Sequence, residues 1–279
     1  MRKNTVLLVG LLSFLFGCNS TGSFKKKGGE WYFKDQPIHV NDPPSFTPLG
    51  DGYAKDKTQV YYFDTYRKGQ EYWLVRHTST TTLEEADVAS FKYLKDYYAA
   101  DKNKAFFKGE AFTIKDPASF EVLYYGFQRD SIAGYFERDI IAGSDGKTFA
   151  ALDQNYSKDK NQVYYSGYKK MEDGATDRSE GTTVTVKGAD PLSFKVLYDE
   201  YASDEKNVYY MDKILTDHVK TFKVLERGYA KSEDKVYYMG RLVTGADVPT
   251  FMVNLTIDST DATDTSSVYF QGKKVAVAK

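Results

Sequence analysis

The side chains of this chain that could ligate a metal or take part in a reaction are one cysteine, three histidines and a large number of carboxylates. His39, His77 and His218 are scattered and share no metal-ligand spacing. Asp258, Asp261 and Asp264 lie three apart in a Ser/Thr-rich stretch that could chelate calcium. That stretch lacks the glycine and distal glutamate of an EF-hand loop, so a solvated loop is expected. There is no nucleophile elbow, phosphate-binding loop or dinucleotide fingerprint. With 39 acidic residues, no carboxylate pair stands out for acid–base work. The expectation is a protein with no catalytic residues, no metal site and no cofactor.

The single cysteine, Cys18, suggests a different chemistry. Arg2 and Lys3 precede an apolar run, Val6–Phe16, that is too short to span a bilayer as a stable helix and reads as a processing signal. The run ends in Leu15-Phe16-Gly17-Cys18, which resembles the bacterial lipobox. Phe16 departs from the small or β-branched residue usual at its position. The resemblance implies that the Cys18 thiol is acylated and becomes the new N-terminus, making the chain a palmitate-type lipoprotein. Several acyl chains give durable anchoring where one would not. By the same resemblance, Asn19 after the cysteine favours the outer membrane, facing the periplasm or the cell surface. A lone cysteine also offers no disulfide framework that would give it another use.

These groups must be positioned by a scaffold unusually rich in aromatics, with 24 Tyr and 18 Phe. Strand formers interrupted by a polar turn every dozen residues read as all-β. The stretch Tyr201–Leu225 gives the unit: Tyr-Ala-x-Asp, a polar turn, x-Val-Tyr-Tyr, a two-residue turn and a closing Phe-Lys-Val-Leu. Opening residues recur at Tyr53, Tyr98, Phe127, Tyr156, Tyr201 and Tyr229. Closing residues recur at Phe46, Phe91, Phe120, Phe149, Phe194 and Phe222. An aspartate follows each opening by three residues, at Asp56, Asp101, Asp130, Asp159 and Asp204, and only Ser232 breaks the column. These aspartates read as turn formers that bond their own backbone. In the third repeat Ser131-Ile132 replaces Lys-Asn, and a different turn is expected there. Asp212-Lys213, Lys108-Gly109 and Met239-Gly240 read as tight hairpin turns. The Ala-Asp-Pro-x-Ser-Phe stretch at Ala189–Phe194 reads as a brief helical turn capped by Asp190, with Pro191 at its first position.

The fold expected is a tandem array of short β-hairpin or meander repeats, either an open solenoid or a propeller-like ring. Lys55–Tyr62 returns as Lys158–Tyr165, a 103-residue shift that suggests a duplicated three-repeat block. The expected organisation is a signal peptide over 1–18, a flexible tether over 19–29 and an N-terminal partial repeat over 30–52. Blocks over 53–155 and 156–256 follow, then a partial capping repeat over 257–279. Insertions at 64–90 and 166–193 lengthen the first repeat of each block, and insertions of this kind map to loops on one face.

Asp159-Lys-Asn-Gln-Val-Tyr164-Tyr165 resembles the repeat of the DKNYY family, with looser copies at Asp204–Tyr210 and Asp101–Phe107. The resemblance implies a secreted or lipid-anchored bacterial protein and names no activity. Losing Arg2 and Lys3 takes the formal net charge from −1 to about −3, which argues against nucleic acid as a partner. The expected partners are a bilayer, through acyl chains on Cys18, and an envelope or incoming protein held by a non-catalytic surface. An immunity or inhibitor lipoprotein is one form of this reading. The alternative is a glycan- or peptidoglycan-binding protein that uses exposed Tyr and Trp73, since aromatic faces serve both uses.

Overall fold

The structure is a computed structural model and describes residues 23–71, 73–170, 179–254 and 260–275. Cys18, Asn19, the leader and Asp258 lie outside the described residues. The chain divides into two compact bodies, Met1–Phe112 and Thr113–Lys279. Among the described residues every strand pairs antiparallel, in one three-stranded and seven four-stranded sheets, and no sheet closes into a barrel. Three of the sheets fall in the first body and five in the second.

Each four-stranded sheet is a meander in sequence order. In the fifth repeat it runs Lys195–Val196, Tyr201–Ser203, Val208–Tyr210 and Lys213–Thr216. Register puts the opening ring opposite the second ring of each aromatic pair and a small residue opposite the first, except in the third repeat, where Gln128 faces Tyr135. Ala202 thus faces Tyr209, and Tyr201 faces Tyr210. The first ring of every pair is buried, whereas the second ranges from buried (Tyr62, Phe136) to half-buried (Tyr165, Tyr210, Tyr238). A large ring beside a methyl group fills the pleat without crowding, and burying each ring stabilises by roughly 1.5–3 kcal/mol.

No single sheet could cover its own rings. The opening ring of one repeat packs on that repeat's closing Phe, which packs on the first ring of the next repeat's pair. In the second body this gives the ladders Tyr156–Phe194–Tyr209 and Tyr229–Phe251–Tyr269, with neighbouring centroids 5.3–5.7 Å apart. The core of the second body is therefore divided into small clusters that lie between successive sheets.

Several local expectations change. Phe24–Lys27, expected within the tether, is a strand paired with Glu30–Phe33, because Phe24 finds a buried place against Phe33, Phe46 and Phe63. The last sheet begins at Met252–Val253, ahead of the expected start at residue 257, so the C-terminal repeat is a full four-stranded sheet. The turn of the fifth repeat is Met211-Asp212, one residue earlier than read, since Tyr210 pairs with Lys213. The Asp-Pro-x-Ser stretch forms a 3-10 turn at Pro117–Ser119 and a hydrogen-bonded turn after Asp190. The two insertions fold alike: Val60–Tyr66 pairs with His77–Thr82, and Val163–Lys170 pairs with Ser179–Thr185.

Candidate functional site

The aspartate column is the most polar feature of the interior and the first place to look for chemistry. Asp204 is buried, and its Oδ1 accepts the amides of Lys206 and Asn207 at 2.8 and 2.7 Å. Its Oδ2 accepts the Tyr209 hydroxyl at 2.7 Å and the amide of Asp190, fourteen residues earlier, at 3.0 Å. Asp190 in turn accepts the Ser193 hydroxyl, and Ser193 Oγ accepts the amide of Glu205. One carboxylate thus ties the turn, the strand and the preceding loop together.

The same set of bonds surrounds Asp56, Asp130 and Asp159, with Tyr61, Tyr135 and Tyr164 as hydroxyl donors. Asp42, Asp116 and Asp145 supply the distant amides. Asp264 repeats it with Tyr269 and Asp247. The third repeat keeps the turn despite Ser131-Ile132, because the donors are backbone amides, those of Ile132 and Ala133. Burial alone would raise the Asp204 carboxyl, but the surrounding donors outweigh it and hold the group below its ordinary value. Burial, then the bond to Asp204, pushes the Tyr209 hydroxyl up to about 12. A carboxylate engaged by four donors is a structural group and has no lone pair directed at a substrate.

The other sequence candidates also resolve into structure. Asp261 stands where other repeats have the opening tyrosine, and its carboxylate accepts the Tyr229 hydroxyl at 2.7 Å and the Gln271 amide at 2.8 Å. Asp264 belongs to the aspartate column, so these two are not free calcium ligands. No group of three or more metal-binding side chains occurs among the described residues. His77 stacks on Tyr66. His218 occupies the place of Asp190 in the one repeat where serine replaces the column aspartate, and its Nδ1 lies 3.1 Å from Asp234.

The feature that sequence reading missed lies in the corner loops between each closing-Phe strand and the next opening strand. Residues 124–126, 153–155, 198–200 and 226–228 are corners of successive repeats in the second body. The corners 124–126, 198–200 and 226–228 use left-handed backbone at Tyr125, Gly126, Asp199, Glu200, Arg227 and Gly228. Tyr125, residues 153–155 and 198–200, Arg227 and Gly228 from these corners line an open groove of about 760 Å³ with Val196, Leu197, Tyr210 and Met239. Glu200 lies within it with its two oxygens accepting the hydroxyls of Tyr165 and Tyr210, at 2.8 and 2.9 Å. Asp153 Oδ1 accepts the amides of Asn155 and Tyr156, and Asp199 Oδ2 accepts that of Gly228. Tyr125 and Tyr198 stand on the groove with 62% and 61% of their surface exposed, and Tyr124 beside them with 70%. Tyr198 also borders a second groove with Leu225, Phe251 and Met252. The only sequence signal for this edge was a bulky residue in a corner where neighbouring repeats have Gly or Asp.

No curated protein and no solved structure matches this chain. The model of the DKNYY family matches residues 63–137 and 178–279, which contain the aromatic pairs of the second, third, fifth, sixth and last repeats and the column aspartates of all of these but the sixth. With more than half of its residues matched, the chain belongs to the DKNYY family.

Proposed function

We propose that this chain is a lipid-anchored protein of the cell envelope that holds another protein without acting on it chemically. The observation that carries the reading is the division of labour among its side chains. The repeated carboxylates are occupied as staples, while Tyr125, Leu197, Tyr198, Met239 and Met252 remain exposed along linked grooves of one body. Large exposed side chains gathered in this way suit a macromolecular partner. An immunity or inhibitor lipoprotein that meets an incoming toxin is the specific form we favour. Anchoring rests on the lipobox-like Leu15–Cys18, with the outer membrane as the proposed destination.

Two measurements test this. Full-length protein made in a bacterial host should incorporate labelled palmitate and fractionate with membranes, and Cys18→Ser should lose both; retained label would refute acylation at Cys18. Residues 19–279 used as bait on envelope extract should capture one near-stoichiometric protein, and Tyr198→Ser/Met252→Ser should release it without changing thermal unfolding. Capture that ignores this variant would remove the corner edge from the reading. A glycan-binding reading draws on Trp73, exposed over 84% of its surface, and predicts retention on purified sacculi that Trp73→Ala abolishes.

A further inference from the structure

Resting on the protein-binding reading, we infer that the corner-loop groove of the second body takes a basic, extended stretch of polypeptide, with lysine or arginine side chains laid against Tyr125 and Tyr198. Its volume is of the order of known ligand sites, and it is open along its length, which suits a chain segment better than an enclosed small molecule.

The charge on its walls identifies the occupant. Three carboxylates, Asp153, Asp199 and Glu200, face the single guanidinium of Arg227, so the groove keeps an excess of negative charge even with one of them matched. The carboxylates are fixed in place: amides of their own or a neighbouring corner orient Asp153 and Asp199, and two tyrosine hydroxyls hold Glu200. Such a surface needs little reorganisation to receive a cation. Exposed rings beside the carboxylates add a face to which ammonium and guanidinium groups are drawn. Val196, Leu197 and Met239 offer apolar surface for the methylene stems of the same side chains. An anionic glycan strand would meet net repulsion here, and a neutral sugar would gain nothing from the charge.

The test uses residues 19–279 and fluorescence anisotropy with a labelled decapeptide of alternating lysine and glycine. A glutamate–glycine decapeptide and chitohexaose serve as comparators. The lysine peptide is expected to bind, and more weakly as salt rises from about 50 to about 300 mM. Tyr125→Ser/Tyr198→Ser, which leaves the charge unchanged, should weaken it by about five-fold or more. Asp153→Asn/Asp199→Asn keeps an acceptor for the loop amides and should weaken it at least as much. If that variant unfolds, the tyrosine pair decides, because no backbone donor depends on those rings. Glu233→Gln/Asp234→Asn removes two charges away from the groove and should change binding by less than about two-fold.

Equal loss in the Glu233/Asp234 control, or no loss in the tyrosine variant, would overturn the groove as the site. Binding of chitohexaose but not of the lysine peptide would overturn the basic occupant in favour of a neutral glycan. A captured partner released by Tyr198→Ser/Met252→Ser, with no lysine-peptide binding, would sink this inference and leave the protein-binding reading standing. Absence of both would sink the two together.

Discussion

The hydroxyl of Tyr201 accepts the amide of Gly240 at 3.1 Å and donates to the carbonyl of Gly228 at 3.0 Å, so one side chain of the fifth repeat closes two turns of the sixth. Tyr53 does the same for the amide of Gly109 and the carbonyl of Tyr97, and the Tyr156 hydroxyl shares its one proton between the carbonyls of Glu200 and Met211. The ring beneath makes the hydrophobic contact between repeats, and the hydroxyl fixes their register.

Tyr201→Phe keeps the ring and strands both backbone groups. Chemical denaturation of residues 19–279 should show a loss of about 1–2 kcal/mol, the cost of an unmade buried hydrogen bond. Gly240→Ala should cost more, since Gly240 has a φ of +70° and a Cβ there would lie 2.3 Å from the Tyr210 ring. A silent Tyr201→Phe would mean that ring packing alone joins the repeats.

Asp159→Ala removes the acceptor for the amides of Asp145, Asn161 and Gln162 and for the Tyr164 hydroxyl. A loss of about 2–4 kcal/mol is expected, with Asp159→Asn intermediate. Hydrogen exchange should show the amide of Asp145, fourteen residues away, losing protection together with Asn161. Exchange that changes only at Asn161 and Gln162 would refute the long-range tie.

The sixth repeat gives the reverse experiment. Ser232 stands in the aspartate column, and its hydroxyl donates to Asp234, the carboxylate that also contacts His218. Ser232→Asp alone would place two carboxylates in one turn. Ser232→Asp/Asp234→Asn recreates the Asp-x-Asn turn of Asp159-Lys-Asn161 and should gain about 0.5–1.5 kcal/mol. The single variant, measured by thermal unfolding, should gain nothing; equal gains would show that charge in the turn is irrelevant.

How far the sequence reveals this scaffold depends on the range of each contact. The Asp204-to-Asn207 turn and the Val208-Tyr209-Tyr210 strand are local, so residue type and spacing are enough to read them. The tie from Asp204 to the amide of Asp190 could not be read, because backbone amides carry no sequence signature. Only the recurrence of Asp-Pro-x-Ser at a constant distance hinted at it. The sequence offers Asp261 only as part of a solvated loop, because its equivalence to an opening tyrosine appears only once Tyr269 and Gln271 are placed around it. The groove escaped notice for a related reason: Tyr125, Asp153, Tyr198 and Arg227 belong to four repeats, and their proximity follows from stacking.

Stability should fall at both ends of the pH scale for separate reasons. Asp56 is held down to about 2, with burial opposing and the donors Tyr61, Thr58 and Gln59 prevailing. Its contribution is present above its unfolded value near 3.8 and is lost as pH falls from there towards about 2. Tyr201 and Tyr209 are pushed up to about 12, chiefly by burial. Their contribution is complete below about 10 and is lost as pH rises through about 12. Denaturation midpoints should be flat across neutral pH, and absorbance at 295 nm should show tyrosinate appearing together with unfolding. Ordinary titration of these tyrosines in a folded chain would contradict the buried staples.

Gly134 offers a case in which the repeat consensus should mislead. The other repeats have Val60, Ala105, Val163, Val208 or Val236 at its position, yet a Cβ on Gly134 would lie 2.5 Å from the Phe149 ring. Phe149 is fully buried and packs on both Phe127 and Tyr164, so it cannot retreat without opening a gap. Gly134→Val should therefore destabilise the chain by about 1–3 kcal/mol, the usual cost of overpacking, although it makes the strand match its neighbours. In a double-mutant cycle, Phe149→Leu should recover part of that loss, because a smaller side chain makes room for the branch. Additive losses would place the strain elsewhere, and a stabilised Gly134→Val would show that strand propensity outweighs the contact with Phe149.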